Sequence, residues 1–156
     1  MPKITTFLTF DHQAEDAANL YTSVFKNSRI VSTTRYGDAG PGPKGSLMTA
    51  TISLDGQELM LLNGGPTFIF SQAISLFVTC ETQAEVDDYW SKLTAGGKEV
   101  QCGWLVDKFG VSWQIIPSVL MRLMSDKDAK KAGRVMQAMM KMVKMDIRGL
   151  LAAAEG

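Results

Sequence analysis

The chain has 156 residues, 46% of them hydrophobic, which is enough to bury one core of ordinary domain size. Acidic and basic residues balance at 16 each, so no global charge would draw the chain to nucleic acid or to an anionic membrane surface. No apolar run approaches the roughly 20 residues that span a bilayer, no signal-peptide core opens the sequence, and its 2 cysteines make no disulfide framework, so we expect a cytoplasmic protein.

The first part of the chain predicts a strand, a helix and three further strands. Residues 4–10 are rich in Thr, Phe and Ile, as strands are. Apolar residues then recur at helical spacing, at Ala17, Leu20, Tyr21 and Val24. The remaining predicted elements are strands over residues 29–36, 47–54 and 57–62. Asp55-Gly56 predicts the tight turn between the last two, so residues 4–62 should form a βαβββ module.

A glycine-rich segment between two of these strands contains Gly40-x-Gly42-x-x-Gly45, a literal match to the dinucleotide-binding fingerprint. That fingerprint opens a helix whose free N–H groups bind pyrophosphate. Here Pro41 and Pro43 remove two donors, and a strand-like run follows instead of a helix. We therefore predict a surface loop or pocket lid.

The same order of elements then starts again. Residues 74–80 predict a strand, and Thr82-x-x-Glu85 is a capping box that opens a helix. Residues 102–117 predict two strands around the turn Asp107-Lys108-Phe109-Gly110. The second module is therefore expected over residues 74–117.

A shift of 69 residues aligns the two helical stripes. It places Ala17 on Val86, Leu20 on Tyr89, Tyr21 on Trp90 and Val24 on Leu93. This correspondence predicts an internal duplication of the βαβββ module within a single domain of residues 1–156.

Residues 118–156 lie outside the duplication and predict a helical tail. One apolar stripe comprises Met136, Met139, Met140, Val143, Ile147, Leu150 and Leu151, with basic residues on the opposite face. Such a helix can lie on a membrane. Packing against the sheet or across a dimer is the commoner role, so we expect a homodimer in which Met139, Met140 and Val143 face their copies.

Several motifs together resemble one family. They are Phe7-Leu-Thr-Phe-Asp11, Phe25-x-Asn-Ser-Arg-Ile30, Cys102-Gly-Trp-Leu-x-Asp-Lys-Phe-Gly-x-Ser-Trp-Gln-Ile-x-Pro117 and Arg134-Val-Met-Gln-Ala-Met-Met-x-Met. They resemble the PhnB-like family, labelled 3-demethylubiquinone-9 3-methyltransferase domain, in the vicinal-oxygen-chelate superfamily of glyoxalases, bleomycin-resistance proteins and dioxygenases. The resemblance implies an α+β fold of paired βαβββ modules with a C-terminal amphipathic helix.

The resemblance also implies where a metal would bind. In metal-dependent members each half supplies His or Glu ligands from its first and last strands. The corresponding residues here are Thr6, Ser75, Met60 and Gln114. Transition metals prefer imidazole, thiolate and carboxylate ligands, so we expect the metal site to be lost and no cofactor to be needed.

Other side chains are weaker candidates. Trp104 and Trp113 would stack a planar ligand, although large aromatics are more often core residues. Arg35 and Tyr36 would bind an anionic or phenolic ligand, or else form a solvated strand end. The only histidine, His12, fits an exposed helix cap better than a general base.

Three classes of function remain. We expect a protein that binds a small molecule, with a metal-dependent lyase, isomerase or dioxygenase as the alternative. The methyltransferase of the family label is the third, but common S-adenosylmethionine enzymes need a parallel sheet with a glycine-rich turn after its first strand. The sequence leaves open whether any reaction is catalysed, and no catalytic residue is assigned.

Overall fold

The computed structural model describes residues 2–156, which fall into two compact units, residues 2–69 and Phe70–Gly156. Each unit has its own four-stranded sheet with a helix packed against it. Among the described residues, none of the helices combines the length and the hydropathy of a bilayer-spanning segment.

The first unit has the predicted βαβββ order. Its elements are β1 (Thr6–Phe10), α1 (Ala14–Val24), β2 (Ser28–Arg35), β3 (Leu47–Leu54) and β4 (Gln57–Asn63). The sheet order is β1-β4-β3-β2, in which β1 and β4 are parallel and the other pairs antiparallel. Alternate residues of β3 and β4, such as Ile52 and Leu61, are buried on the face that α1 covers, as strand periodicity requires.

The second unit repeats this arrangement and adds the tail. Its elements are β5 (Ser75–Cys80), α2 (Gln83–Thr94), β6 (Lys98–Glu99), β7 (Trp104–Val106), β8 (Ser112–Pro117), α3 (Ser118–Met124), α4 (Ala129–Met140) and α5 (Ile147–Glu155). The sheet order β5-β8-β7-β6, again with a parallel first pair, matches the first unit strand for strand. The predicted duplication is therefore confirmed.

The tail is helical, as predicted, but the prediction of one continuous apolar stripe was wrong. The chain leaves α4 after Met140, and the carbonyls of Met142 and Val143 accept hydrogen bonds from the N–H groups of Cys102 and Gly103, at 2.9 and 2.7 Å. Met145 is fully buried next to Gly103. The helix ends here because these contacts draw the backbone of residues 142–145 onto residues 102–103.

The two cysteines differ in their surroundings. Cys80 is fully buried, and burial raises the pKa of its thiol to about 12, with the carboxylates of Glu85 and Glu81 adding to the shift. Its thiol stays protonated at neutral pH, so it behaves as the small apolar core residue that is common for a free cysteine. Cys102 is only half-buried.

Candidate functional site

The face of the second sheet opposite α2, here called the open face, carries a row of three side chains. Gln114 on β8 pairs with Phe77 on β5 and with Trp104 on β7. Paired residues share a face of a sheet, so the amide lies between two aromatic side chains. Phe77 is 49% exposed, and Gln114 and Trp104 are half-buried. We call these three residues the Gln114 row.

A second row on the same face is mostly polar. Ser75 on β5 pairs with Ser112 on β8, and Gln114 Nε2 donates a hydrogen bond of 2.9 Å to Ser75 Oγ. The Ser112 hydroxyl is buried and forms no hydrogen bond with the described residues. This part of the face therefore combines an amide, its bonded hydroxyl and a further hydroxyl with unused bonding capacity.

Charge is nearly absent from the open face. By pairing and alternation, its strand positions are Ser75, Phe77, Thr79, Lys98, Trp104, Val106, Ser112, Gln114 and Ile116. Only Lys98 is charged, and it lies on the edge strand β6, where it is exposed. The other three strands, β5, β8 and β7, present only neutral groups at these positions.

Trp113 lies on the opposite face of β8 and is not part of this site. Only 2% of it is exposed, and its indole Nε1 donates a hydrogen bond of 2.9 Å to Asp107 Oδ2. It is therefore a core residue, which is the commoner role for an aromatic residue in a sheet, and it should be removed from the ligand-binding candidates.

Asp107 is buried and organises the turn between β7 and β8. Its Oδ1 accepts hydrogen bonds from the backbone N–H groups of Phe109 and Val111, at 2.9 and 3.0 Å. Gly110 has a φ of +93°, which suits glycine. The turn predicted from the sequence is therefore confirmed, and the Asp107 side chain holds it.

Thr6 is not the counterpart of Ser75, which corrects the sequence alignment of the two modules. In the first sheet Phe7 pairs with Met60, just as Phe77 pairs with Gln114 in the second, whereas Thr6 pairs with buried Leu59. Thr6 therefore lies on the face that α1 covers.

A difference in connection length explains this error. Three residues, 11–13, connect β1 to α1, whereas two residues, 81–82, connect β5 to α2. The shift of 69 therefore holds for the helices but is one residue short for the first strands. A slip of one residue moves a side chain to the other face of a sheet.

The open face of the first sheet is chemically different. Met60 pairs with Thr51 on one side and with half-exposed Phe7 on the other. Thioether and hydroxyl groups replace the amide of the second sheet. The first sheet is therefore the weaker candidate for binding a polar ligand.

Arg35 is engaged within the first unit. Its guanidinium forms a two-pronged ion pair with Glu15 on α1, with N–O distances of 2.9 and 3.3 Å. The hydrogen bond from Arg35 lowers the pKa of the Glu15 carboxyl. A ligand that binds the Arg35 guanidinium would have to compete with the Glu15 carboxylate for it.

Tyr36 is buried by the glycine-rich loop. Its hydroxyl donates a hydrogen bond of 2.5 Å to the backbone carbonyl of Asn63. Gly40 and Gly42 lie against its ring, where an added Cβ would come within 2.4 Å of ring atoms. The predicted surface loop is confirmed, and its glycines allow it to close over Tyr36, which leaves the phenol unavailable as a ligand-binding group.

His12 belongs to the first unit. It is exposed, and its Nδ1 is 3.4 Å from Asp11 Oδ2, while Gln13 occupies the N-cap position of α1. Within residues 2–156, no three His, Cys, Asp or Glu side chains are grouped as a metal ion would require.

Similarity to known proteins agrees with the fold. A family model described as 3-demethylubiquinone-9 3-methyltransferase matches residues 2–116. The chain belongs to this family. A PhnB protein from Bacillus cereus, a member by its description, is 44% identical with a TM-score of 0.70, and the match covers 74% of this chain and 99% of that one.

Two more distant structures share the fold alone. Protein PA1353 from Pseudomonas aeruginosa is 20% identical with a TM-score of 0.63, and the match covers 75% of this chain and 98% of that one. The fosfomycin resistance protein FosX from Listeria monocytogenes is 13% identical with a TM-score of 0.56, and the match covers 80% of this chain and 98% of that one. No match was found among curated proteins. The family match ends before the helical tail.

Proposed function

We propose that this member of the 3-demethylubiquinone-9 3-methyltransferase family binds a small molecule on the open face of its second sheet. Gln114 carries the proposal, because its amide is held by Ser75 between the aromatic side chains of Phe77 and Trp104. Small-molecule sites are mostly apolar surfaces with a few well-placed polar groups. The Gln114 row and the neighbouring hydroxyls have this composition.

Binding without a transition metal is part of the proposal. Ser75 and Gln114 offer only a neutral hydroxyl and a neutral amide oxygen, and Met60 in the first sheet offers only a thioether. Such a set would hold Zn, Ni or Mn poorly compared with imidazole or carboxylate. The residues present do not fit a metal-dependent reaction, so no chemical step is derived through one.

Catalysis by a lyase, isomerase or dioxygenase remains the alternative, as does the methyl transfer in the family's description. The glycine-rich segment that could suggest a nucleotide cofactor joins the antiparallel strands β2 and β3 and packs on Tyr36. That arrangement favours ligand binding over methyl transfer, because common S-adenosylmethionine enzymes bind the cofactor beside a parallel sheet.

Native mass spectrometry of freshly purified protein should detect a retained small molecule and no stoichiometric transition metal. Gln114→Leu, which keeps the side-chain size but removes the amide, should lose the retained molecule. Met60→Leu, at the corresponding position of the first sheet, is the matched control and should keep it.

Three results would count against this proposal. One is a transition metal present at one ion per chain in elemental analysis. Another is equal retention of the molecule by wild type and Gln114→Leu. The third is saturable binding of S-adenosylmethionine in the micromolar range by calorimetry, which would favour the methyltransferase.

We further propose that the chain acts in the cytoplasm, without nucleic acid, as a homodimer. Balanced charge supports the absence of a nucleic-acid partner. Two free cysteines fit a reducing compartment such as the cytoplasm. The dimer is supported by apolar side chains that the tail leaves exposed: Met140 is 61% exposed, and Met136 and Leu151 are half-exposed. Val143 lies outside the helices, so α4 rather than the whole predicted stripe would form the contact.

Sedimentation should give twice the chain mass of 17.0 kDa. Replacing Met136 and Met140 together with aspartate should shift the sedimentation to that of a monomer, because two charges would be buried in a self-complementary contact. Lys130→Asp with Lys141→Asp, two exposed changes on or beside the same helix, is the control. A dimer that persists in the methionine double variant would show that α4 is not the interface.

A further inference from the structure

We infer, on the basis of the proposed function, that the ligand is an uncharged compound with a flat ring that carries a hydroxyl or carbonyl group. Three features of the open face of the second sheet lead to this ligand class. They are the flanking aromatic residues, the unused hydrogen-bonding capacity at Gln114 and the neutrality of the positions on β5, β8 and β7.

The aromatic residues favour a flat ring. Phe77 and Trp104 lie on the two strands that flank β8, on either side of Gln114. Neighbouring strands are about 4.8 Å apart, so the two side chains start about 10 Å apart. A single or fused ring laid over the amide would contact both of them through stacked or edge-to-face geometry, which aromatic pairs prefer.

The hydrogen bonds favour a hydroxyl or carbonyl group on that ring. Gln114 Nε2 uses one of its two N–H groups on Ser75, and no hydrogen bond to Oε1 is found within the described residues. A carboxamide can therefore still donate one bond and accept one or two. A hydroxyl on the ligand can use both capacities, and a carbonyl can use the donor.

The charge distribution favours a neutral ligand. Ions transferred from water to such a surface lose hydration, and only an opposite charge or strong donors would offset that loss. The one cation on this face, Lys98, is exposed on the edge strand two strands away from β8. An anionic ligand centred on Gln114 would thus gain little from it.

Matched probes can test this ligand class by NMR titration of the purified full chain. The probes are 2-naphthol, naphthalene, 2-naphthoate and decahydro-2-naphthol. We expect 2-naphthol to perturb the resonances of β5, β7 and β8 with a Kd below about 1 mM. Each other probe lacks the hydroxyl, the neutrality or the flat ring, and it should bind at least about tenfold more weakly.

Variants locate the effect. Gln114→Leu should weaken 2-naphthol about tenfold, and Phe77→Ala several-fold. Phe7→Ala, at the corresponding position of the first sheet, should leave its affinity unchanged. Lys98→Met should also leave it unchanged, because the proposed ligand does not use the charge.

Tighter binding of 2-naphthoate than of 2-naphthol, lost in Lys98→Met, would overturn the inference in favour of an anionic ligand. Failure of all four probes would also overturn it. In that case a charged or aliphatic molecule retained by wild type but not by Gln114→Leu would leave the proposed binding function intact. Failure of every probe together with no Gln114-dependent retained molecule would reject both.

Discussion

Replacing Asp107 with alanine should lower the free energy of unfolding by about 2–4 kcal/mol. The carboxylate is buried and accepts bonds from two backbone N–H groups of the turn and from the Trp113 indole. Removing it leaves these buried donors unpaired, and an unpaired donor costs more than the bond itself contributes. Urea unfolding followed by tryptophan fluorescence measures the change.

A double-mutant cycle can separate the indole bond from the turn. Trp113→Phe removes the donor, so Asp107→Ala should cost less in that background than in wild type. Asp107→Asn keeps one oxygen for the turn but turns an amide towards the indole, and it should fall between wild type and Asp107→Ala. A loss below about 0.5 kcal/mol in Asp107→Ala would contradict this role.

Truncating Met145 to alanine should cost about 2–5 kcal/mol of unfolding free energy, the usual range for a buried methionine. Met145 is fully buried, and its Cγ would lie 3.1 Å from a Cβ added at Gly103. Met145 therefore fills space that is open only because residue 103 is a glycine. Its loss should also free the tail, because the backbone bonds of Met142 and Val143 depend on the same docking.

Met121→Ala is the matched control, since Met121 is 54% exposed and its truncation should change stability by less than about 0.5 kcal/mol. Thermal unfolding gives the stability, and limited trypsin digestion at Lys141 and Lys144 reports release of the tail. Equal behaviour of the two alanine variants would show that the docking of residues 142–145 is not a stabilising feature.

The sequence predicts those parts of the fold that depend on local patterns. The Asp107–Gly110 turn and the two helical stripes follow from residue type and spacing, and both are confirmed. For residues 4–10 it was harder to predict which face of the sheet each side chain occupies. Apolar residues occupy both faces there, with Phe7 half-exposed and Leu8 buried, so alternation alone could not detect the one-residue slip.

The tail and the candidate site show what local patterns miss. Val143 continues the helical spacing of the apolar residues in the sequence. The N–H groups of residues 102–103 bond to the carbonyls of Met142 and Val143 instead, and such distant bonds leave no periodic signal. Gln114 is found from the sequence because it corresponds to a metal-ligand position in the superfamily that the motifs resemble. Phe77 was missed as its neighbour because parallel pairing with β8 brings it there. Aligning β5 with β1 through the internal duplication would place Phe77 on Phe7, and would thus identify Phe77 as the neighbour of Gln114.

The docked tail means that the end of a family match need not be a folding boundary. A fragment that stops at residue 116 would lack only the last residue of β8 among the strands. It would therefore look like a complete domain when judged by the family match alone. It would nevertheless expose the surface that Met145 covers and leave the N–H groups of Cys102 and Gly103 without their carbonyl partners. Domain limits chosen by sequence similarity alone would therefore cut through the hydrophobic core of the second unit.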